Sequence, residues 1–196
     1  MSINLLETVQ QNLGYSALQK IDPNTQQVVV DDATPPEDKF SQAAIPATLA
    51  GLFAYAQSDE GATEILQGTS TANWAGKIFE ENKKEAIQTI SDYAGQSIES
   101  SVTKMNAIAN ETIKVVKENL KADAAIKDVK QFFSDQKNNI LLYLPAALHM
   151  GELLHDNTLD DNTNKMEGPI SSLMHSIGAA FTNPVIEEEV KKPEVL

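Results

Sequence analysis

The residues best suited to chemistry lie in one short segment, His149–Asp156, with the sequence HMGELLHD. If this segment is helical, steps of three and four residues place His149, Glu152 and Asp156 on one face. Imidazole and carboxylate groups bind transition metals, and Glu152 and His155 also form one Glu-x-x-His unit. Carboxylate-bridged di-metal bundles use two such units and two further glutamates, whereas this sequence has one unit. Metal binding is therefore an alternative hypothesis, with these ligands: His149, Glu152, His155 and Asp156.

A candidate calcium loop overlaps this segment, because the stretch from Asp156 to Glu167 has the length of an EF-hand loop, twelve residues. Its ligand positions hold Asp156, Asp160, Asn162 and Glu167. The third position is Thr158, however, and Asp161 replaces the glycine of the sharp turn. These departures favour a surface loop rich in Asn and Asp. In the same way, His149 can be a core histidine, and the residues that follow it can be a solvated helix end.

Patterns typical of other catalytic sites are missing from the sequence. There is no cysteine, which excludes disulfides, cysteine zinc sites and thiol catalysis. Neither a Gly-x-Ser-x-Gly turn nor a phosphate-binding Gly-x-x-x-x-Gly-Lys-Ser/Thr loop occurs. The sequence therefore predicts a protein that is not an enzyme and that uses no cofactor.

The charge balance argues against several classes of partner. Fifteen basic residues, all of them lysine, face 28 acidic ones, which gives a net charge of −13. Arginine, the residue that grips phosphates with two hydrogen bonds, is absent. We therefore expect neither nucleic acid nor an anionic membrane surface as a partner. The first residues, MSINLLETVQ, lack the pattern of a signal peptide, so the expected location is the cytoplasm.

The segment His149–Asp156 overlaps the densest apolar run of the chain, Ile140–Leu154, which we expect to be the central element of the fold. This run is shorter than the roughly 20 apolar residues of a membrane span, so the pattern favours a buried helix. Pro145 would interrupt it, because a proline inside a helix removes one backbone hydrogen bond. Two arrangements stay open: one kinked helix, or a helix that ends near Tyr143 and a second that begins at Pro145.

The rest of the chain predicts an all-α fold, a multihelical bundle of about seven or eight helices. Gln26–Val30 is the one strand-like run, and it has no partner. The expected helices cover Ser2–Leu13, Phe40–Gln57, Asp59–Gln67, Trp74–Tyr93, Ser97–Leu120, Ala122–Ser134 and Pro169–Phe181, with a further turn or two in Tyr15–Ile21 and a loop at Asp31–Lys39.

We expect residues 1–181 to form a single multihelical domain, followed by an acidic flexible tail over residues 182–196. A proline motif occurs twice, as Ile45-Pro46-Ala47 and Leu144-Pro145-Ala146. A true duplication would divide the domain into two similar halves, 1–95 and 96–181. Proline is tolerated in the first turn of a helix, and this interpretation suits Pro46 as well as Pro145, although the expected helix Phe40–Gln57 contains Pro46.

Three segments resemble the bacterial YidB-like family, whose function is unknown: LLETVQQNLGYSALQKI, AIPATLAGLFAYAQSDEGATEIL and VKQFFSDQKNNILLYLPAAL. The matching motif is an aliphatic-Pro helix, here Ile45-Pro46 with Gly51, followed by the turn Ser58-Asp59-Glu60-Gly61. The resemblance implies a multihelical fold in a bacterial protein, and it implies no activity and no catalytic residues.

These observations together predict a non-enzymatic helical protein of unknown function that acts through protein–protein interaction or self-assembly. Alanine-rich helices and long apolar faces, which favour close packing of helices, motivate the prediction. The expected partner is another protein or a further copy of this chain.

Overall fold

The structure is a computed structural model, and it describes residues 3–28, 33–68, 73–156 and 159. The predicted all-α fold is confirmed, since the described residues form helices and no strand. All of them belong to one compact unit. The predicted helix Pro169–Phe181, the predicted tail over residues 182–196 and most of the calcium loop lie outside the described residues.

Eight α-helices follow one another in the described chain. They are α1 (Leu5–Asn12), α2 (Pro36–Ala56), α3 (Asp59–Gln67), α4 (Trp74–Phe79), α5 (Lys83–Ala94), α6 (Ile98–Asn119), α7 (Ile126–Leu141) and α8 (Met150–Leu153). Two short 3₁₀ turns, Glu80–Asn82 and Ala146–Leu148, precede α5 and α8.

Helix α2 is the central element of the described fold, and it contacts each of the other seven α-helices. Its residues from Phe40 to Phe53 are all buried, as expected for a helix that is apolar on every side. Gly51 lets α4 approach closely, because a Cβ at this position would lie 3.0 Å from the Ile78 Cδ1 atom. The prediction that Ile140–Leu154 occupies this central position was wrong.

The prolines of the two similar motifs differ in their positions. Pro145 is buried and precedes the 3₁₀ turn Ala146–Leu148, so the arrangement with two separate helical segments is the one observed. The earlier segment ends at Leu141. Pro46 lies in the interior of α2 instead of its first turn, which corrects the prediction. Pro36 occupies that first turn, so the helix begins inside the predicted loop Asp31–Lys39.

Helices α3 and α6 begin within one residue of their predicted starts, and a serine caps each of them. Ser58 Oγ accepts a hydrogen bond from the Gly61 N–H at 2.9 Å, and Ser97 Oγ accepts one from the Ser100 N–H at 3.3 Å. Gly61 also has a packing role, because a Cβ there would overlap the Tyr55 carbonyl oxygen.

Other predicted boundaries were wrong. The first helix is capped by Asn4, and Tyr15–Ile21 has no regular structure. The predicted helix Ala122–Ser134 begins later, at Ile126, and continues to Leu141.

Buried side-chain amides hold the irregular segments against the helices. Gln42 on α2 pairs with both backbone groups of Gln19, since its Oε1 accepts from the N–H at 2.8 Å and its Nε2 donates to the carbonyl at 3.0 Å. Gln136 on α7 accepts from the Leu5 N–H and donates to the Ile3 carbonyl, each at 3.0 Å. These amides replace the backbone partners that a strand or helix would have supplied.

No helix in the described part of the chain combines the length and the apolar character that a membrane span requires. The longest, α6, carries charged residues along its exposed face.

Candidate functional site

The predicted helix Trp74–Tyr93 is broken in the structure, and the break forms one wall of the candidate site. Helix α4 ends at Phe79, and α5 begins at Lys83. Between them Glu80 has φ +44° and ψ −117°, a conformation that residues with a Cβ rarely adopt. Phe79 and Ile87 are both buried, so each half of the broken helix packs into the core. The break could not be predicted from the sequence, because positions 80–82 contain neither glycine nor proline.

The opposite wall is the segment that holds the predicted metal ligands. His149 has φ +48° and His155 has φ +53°, so two left-handed residues flank the four-residue helix α8. The single helical face expected for His149, Glu152 and Asp156 therefore does not form. The apolar residues of the segment anchor it instead, since Leu148, Met150 and Leu153 are buried.

A cleft of about 400 Å³, called here the histidine cleft, lies between α5 and this segment. Its lining residues are Asn82, Glu85, Thr89, Leu148, His149, Glu152, Leu153 and His155. Three of the four predicted ligands thus line one cleft, and Asp156 is not among the lining residues. Within the described ranges, no group of three or more His, Asp or Glu side chains is placed to hold a metal ion. Metal binding stays a prediction.

A second cleft of about 300 Å³, called here the tyrosine cleft, adjoins the first and shares Leu153 and His155 with it. The residues that line it come from the end of α2, the start of α3, the α4–α5 break and the end of α8. They are Ala54, Tyr55, Ser58, Glu60, Lys77, Ile78, Phe79, Glu80, Glu81, Leu153, Leu154 and His155.

Tyr55 and Lys77 meet Glu64 beside the tyrosine cleft. The Lys77 Nζ lies 2.7 and 2.6 Å from the two carboxylate oxygens of Glu64, and the Tyr55 hydroxyl donates to Glu64 Oε2 at 2.9 Å. Trp74 completes the group, because its ring packs edge-on against Tyr55 and lies 5.8 Å from the Lys77 Nζ. This group was not predicted from the sequence, because Glu64 is 9 residues from Tyr55 and 13 residues from Lys77, and the three residues come from three helices.

Burial and the neighbouring negative charges keep the Tyr55 hydroxyl protonated. Burial, the hydrogen bond to Glu64 and the negative charges of Glu64, Glu60 and Glu80 raise the pKa of Tyr55 to about 12. The pKa of Glu64 lies below its ordinary value, mainly because Lys77 donates hydrogen bonds to the carboxylate. At neutral pH the Tyr55 hydroxyl is therefore neutral and the Glu64 carboxyl is ionised.

Exposed carboxylates surround the tyrosine cleft and are called here the acidic rim: Glu60, Glu80 and Glu81. Among the described residues that line the cleft, Lys77 is the one lysine, and Glu64 balances its charge. His155 Nε2 lies 3.4 Å from Glu81 Oε1. The cleft therefore presents a net negative charge.

The chain was compared with known proteins at the levels of sequence and fold. No family model, no curated protein and no solved structure matches it. The resemblance to the YidB-like family therefore stays a prediction that rests on the three quoted segments.

Proposed function

We propose that this protein is not an enzyme and that it acts by binding a protein, either another protein or a further copy of itself, at the surface formed by the two clefts. We further propose that it does so in the cytoplasm; the cysteine-free, acidic composition is compatible with that location.

One observation carries the proposal: three residues with strained backbones surround the two clefts. Glu80, His149 and His155 all have positive φ, although none of them is glycine. Such conformations cost about 1–3 kcal/mol each, and they concentrate at functional sites where the surrounding structure maintains them. Their position around the adjoining clefts supports a functional surface there.

The chemistry of the tyrosine cleft supports binding more than catalysis. A phenol whose pKa is about 12 is a poor general base at neutral pH. The Lys77 Nζ is held by two short contacts to the Glu64 carboxylate, which occupy its donors and leave it poorly placed to attack a substrate. An apolar floor with charged groups at its edge resembles the usual anatomy of a protein interface.

Co-purification from cells tests the proposal. Glu81 and His155 are suitable positions, because their side chains are 80% and 72% exposed and their removal should not disturb the core. We expect the Glu81→Ala/His155→Ala variant to lose most of the protein that co-purifies with the native chain.

The matched control is Glu99→Ala/Thr103→Ala, which removes one carboxylate and one neutral side chain from the exposed face of α6. This variant should retain the co-purified protein. Equal recovery with all three forms, or a strictly monomeric native chain with nothing bound in sedimentation experiments, would overturn the proposal.

The alternative function is metal binding by His149, Glu152, His155 and Asp156. The location of the first three around the histidine cleft is the observation that favours it. Elemental analysis of untagged protein tests it: a stoichiometric metal that disappears in the His149→Ala/His155→Ala variant would support this alternative.

A further inference from the structure

The tyrosine cleft has the size and the floor of a pocket for one large side chain. Its volume of about 300 Å³ is at the lower end of the range for ligand pockets, so it suits part of a peptide rather than a whole domain. The apolar residues Ile78, Phe79 and Leu153 form a floor that is itself almost completely buried, and the half-buried Tyr55 and Leu154 supply the apolar surface that a hydrocarbon group could cover. Burial of an apolar side chain against this floor would be favourable.

The acidic rim determines which kind of partner segment can place a large apolar side chain in the tyrosine cleft. Glu60, Glu80 and Glu81 are exposed and point their charges around the same opening. The fields of Glu60 and Glu80 both reach Tyr55, where they help to raise its pKa. The adjoining histidine cleft adds Glu85 and Glu152 to the same side of the protein. A partner with lysine or arginine beside its apolar residue would be attracted, and an acidic partner would be repelled.

The net charge of the whole chain distinguishes between two candidate partners for the tyrosine cleft, a second copy of this chain and a different protein. A second copy would bring a further net charge of −13 to a surface that is already negative. This repulsion disfavours self-association through the cleft and favours a different, basic protein. The partly exposed apolar surface of Tyr55 and Leu154 favours a peptide side chain over a small cation, since a cation alone would leave that surface exposed to water.

We infer that the tyrosine cleft binds a cationic segment of another protein, with one large apolar side chain in the cleft and lysines or arginines against the acidic rim. The inference rests on the proposed function and specifies the chemistry of the partner. It predicts binding that requires both the apolar side chain and the positive charges.

Peptide titrations test both requirements separately. The probe is a fluorescein-labelled peptide, GKKFKKG, and its binding is followed by anisotropy at low salt with the full chain. GKKAKKG lacks the large side chain, and GEEFEEG reverses the charges. We expect GKKFKKG to bind about tenfold more tightly than GKKAKKG, GEEFEEG not to bind, and added salt to weaken the binding of GKKFKKG. Equal affinity for GKKFKKG and GKKAKKG would overturn the inference, since binding would then be a general response to negative charge.

A matched pair of variants locates the binding. Glu60→Gln/Glu81→Gln removes two carboxylates of the acidic rim, and Glu99→Gln/Glu118→Gln removes two exposed carboxylates of α6. The first variant should raise the Kd for GKKFKKG about tenfold, whereas the second should change it less than about twofold. Equal effects of the two variants would place the binding elsewhere and overturn the inference.

The failure of this inference can be told apart from the failure of the proposed function. If GKKFKKG does not bind, but co-purified protein still depends on Glu81 and His155, the partner is not a cationic segment and the interaction function stands. If the co-purified protein is a second copy of this chain, the inference is overturned in the same way. If GKKFKKG does not bind and the co-purified protein does not depend on Glu81 and His155, both proposals fail.

Discussion

Asn82 joins the two walls of the candidate site, because its Nδ2 donates a hydrogen bond of 3.0 Å to the Leu153 carbonyl oxygen. Asn82 ends the 3₁₀ turn between α4 and α5, and Leu153 ends α8. The same amide lies 3.3 Å from His155 Nε2. One side chain thus links two segments that are 71 residues apart in the chain, in addition to the buried apolar residues that anchor α8.

Replacement of Asn82 by alanine should therefore loosen α8. Loss of the hydrogen bond to Leu153 should lower the free energy of unfolding by about 1 kcal/mol. It should also accelerate amide hydrogen exchange in residues 150–155. Asn138→Ala, at an exposed position of α7, is the control and should change neither quantity. Unchanged exchange in residues 150–155 of Asn82→Ala would show that the hydrogen bond does not hold the segment.

Glu80→Gly should stabilise the protein, which is unusual for a glycine substitution. Glycine adopts φ +44° without a steric penalty, so the variant relieves the strain at the break. The relief of about 1–3 kcal/mol of backbone strain outweighs the entropic cost of glycine, about 0.5–1 kcal/mol, so we expect the free energy of unfolding in urea to rise by about 1 kcal/mol. Glu81→Gly, one residue later and at an ordinary backbone position, should instead destabilise the protein. If the two variants lowered stability equally, Glu80 would not be strained.

Leu148→Ala should lower the free energy of unfolding by about 2–5 kcal/mol, because the Leu148 side chain is fully buried. Leu142, six residues earlier, is 39% exposed, so Leu142→Ala should cost much less. Chemical denaturation of the two variants provides the comparison. A harmless Leu148→Ala would show that the 3₁₀ turn Ala146–Leu148 does not belong to the core.

Glu64 should make the stability depend on pH in the acid range. Its pKa is lower in the folded protein than the ordinary value of 4.5, mainly because of the Lys77 hydrogen bonds. The folded state therefore binds this proton more weakly than the unfolded state does, and the resulting stabilisation is present above pH 4.5. It is lost as the pH falls through the folded pKa.

Thermal melts at a series of pH values between about 3 and 6 measure this dependence. Glu64→Gln keeps an acceptor for the Tyr55 hydroxyl but has no titrating carboxylate, so its melting temperature should fall less steeply with acid. If the melting temperatures of the native chain and Glu64→Gln fell equally with pH, Glu64 would not be a source of the pH dependence.

Local signals explain which parts of the fold could be predicted. The starts of α3 and α6 were predictable, because a helix start depends on a local cap, here the hydroxyl of Ser58 or Ser97 and an N–H three residues away. The break at Glu80 was not predictable in this way, since the periodic pattern continues through it and contacts with distant residues maintain it. Pro46 lies in the interior of α2 for the same kind of reason, because packing on all sides outweighs the lost backbone hydrogen bond.

The candidate site was predictable in part. The spacing of His149, Glu152 and His155 predicted that these residues lie close together, and all three line one cleft. The helical face that they were expected to share depends on a continuous helix, whereas left-handed residues flank α8. The opposite walls come from α2, α4 and α5, and no pattern within a single segment reveals such long-range contacts.

Site-specific photo-crosslinking in cells tests the central claim most directly, namely that the surface of the two clefts contacts a protein. A photoreactive benzophenone amino acid at position 81, on the acidic rim, compares directly with the same amino acid at position 103, on the exposed face of α6. The account predicts a discrete crosslinked product from position 81 and none from position 103. The absence of any product from position 81, or equal products from both positions, would contradict the claim.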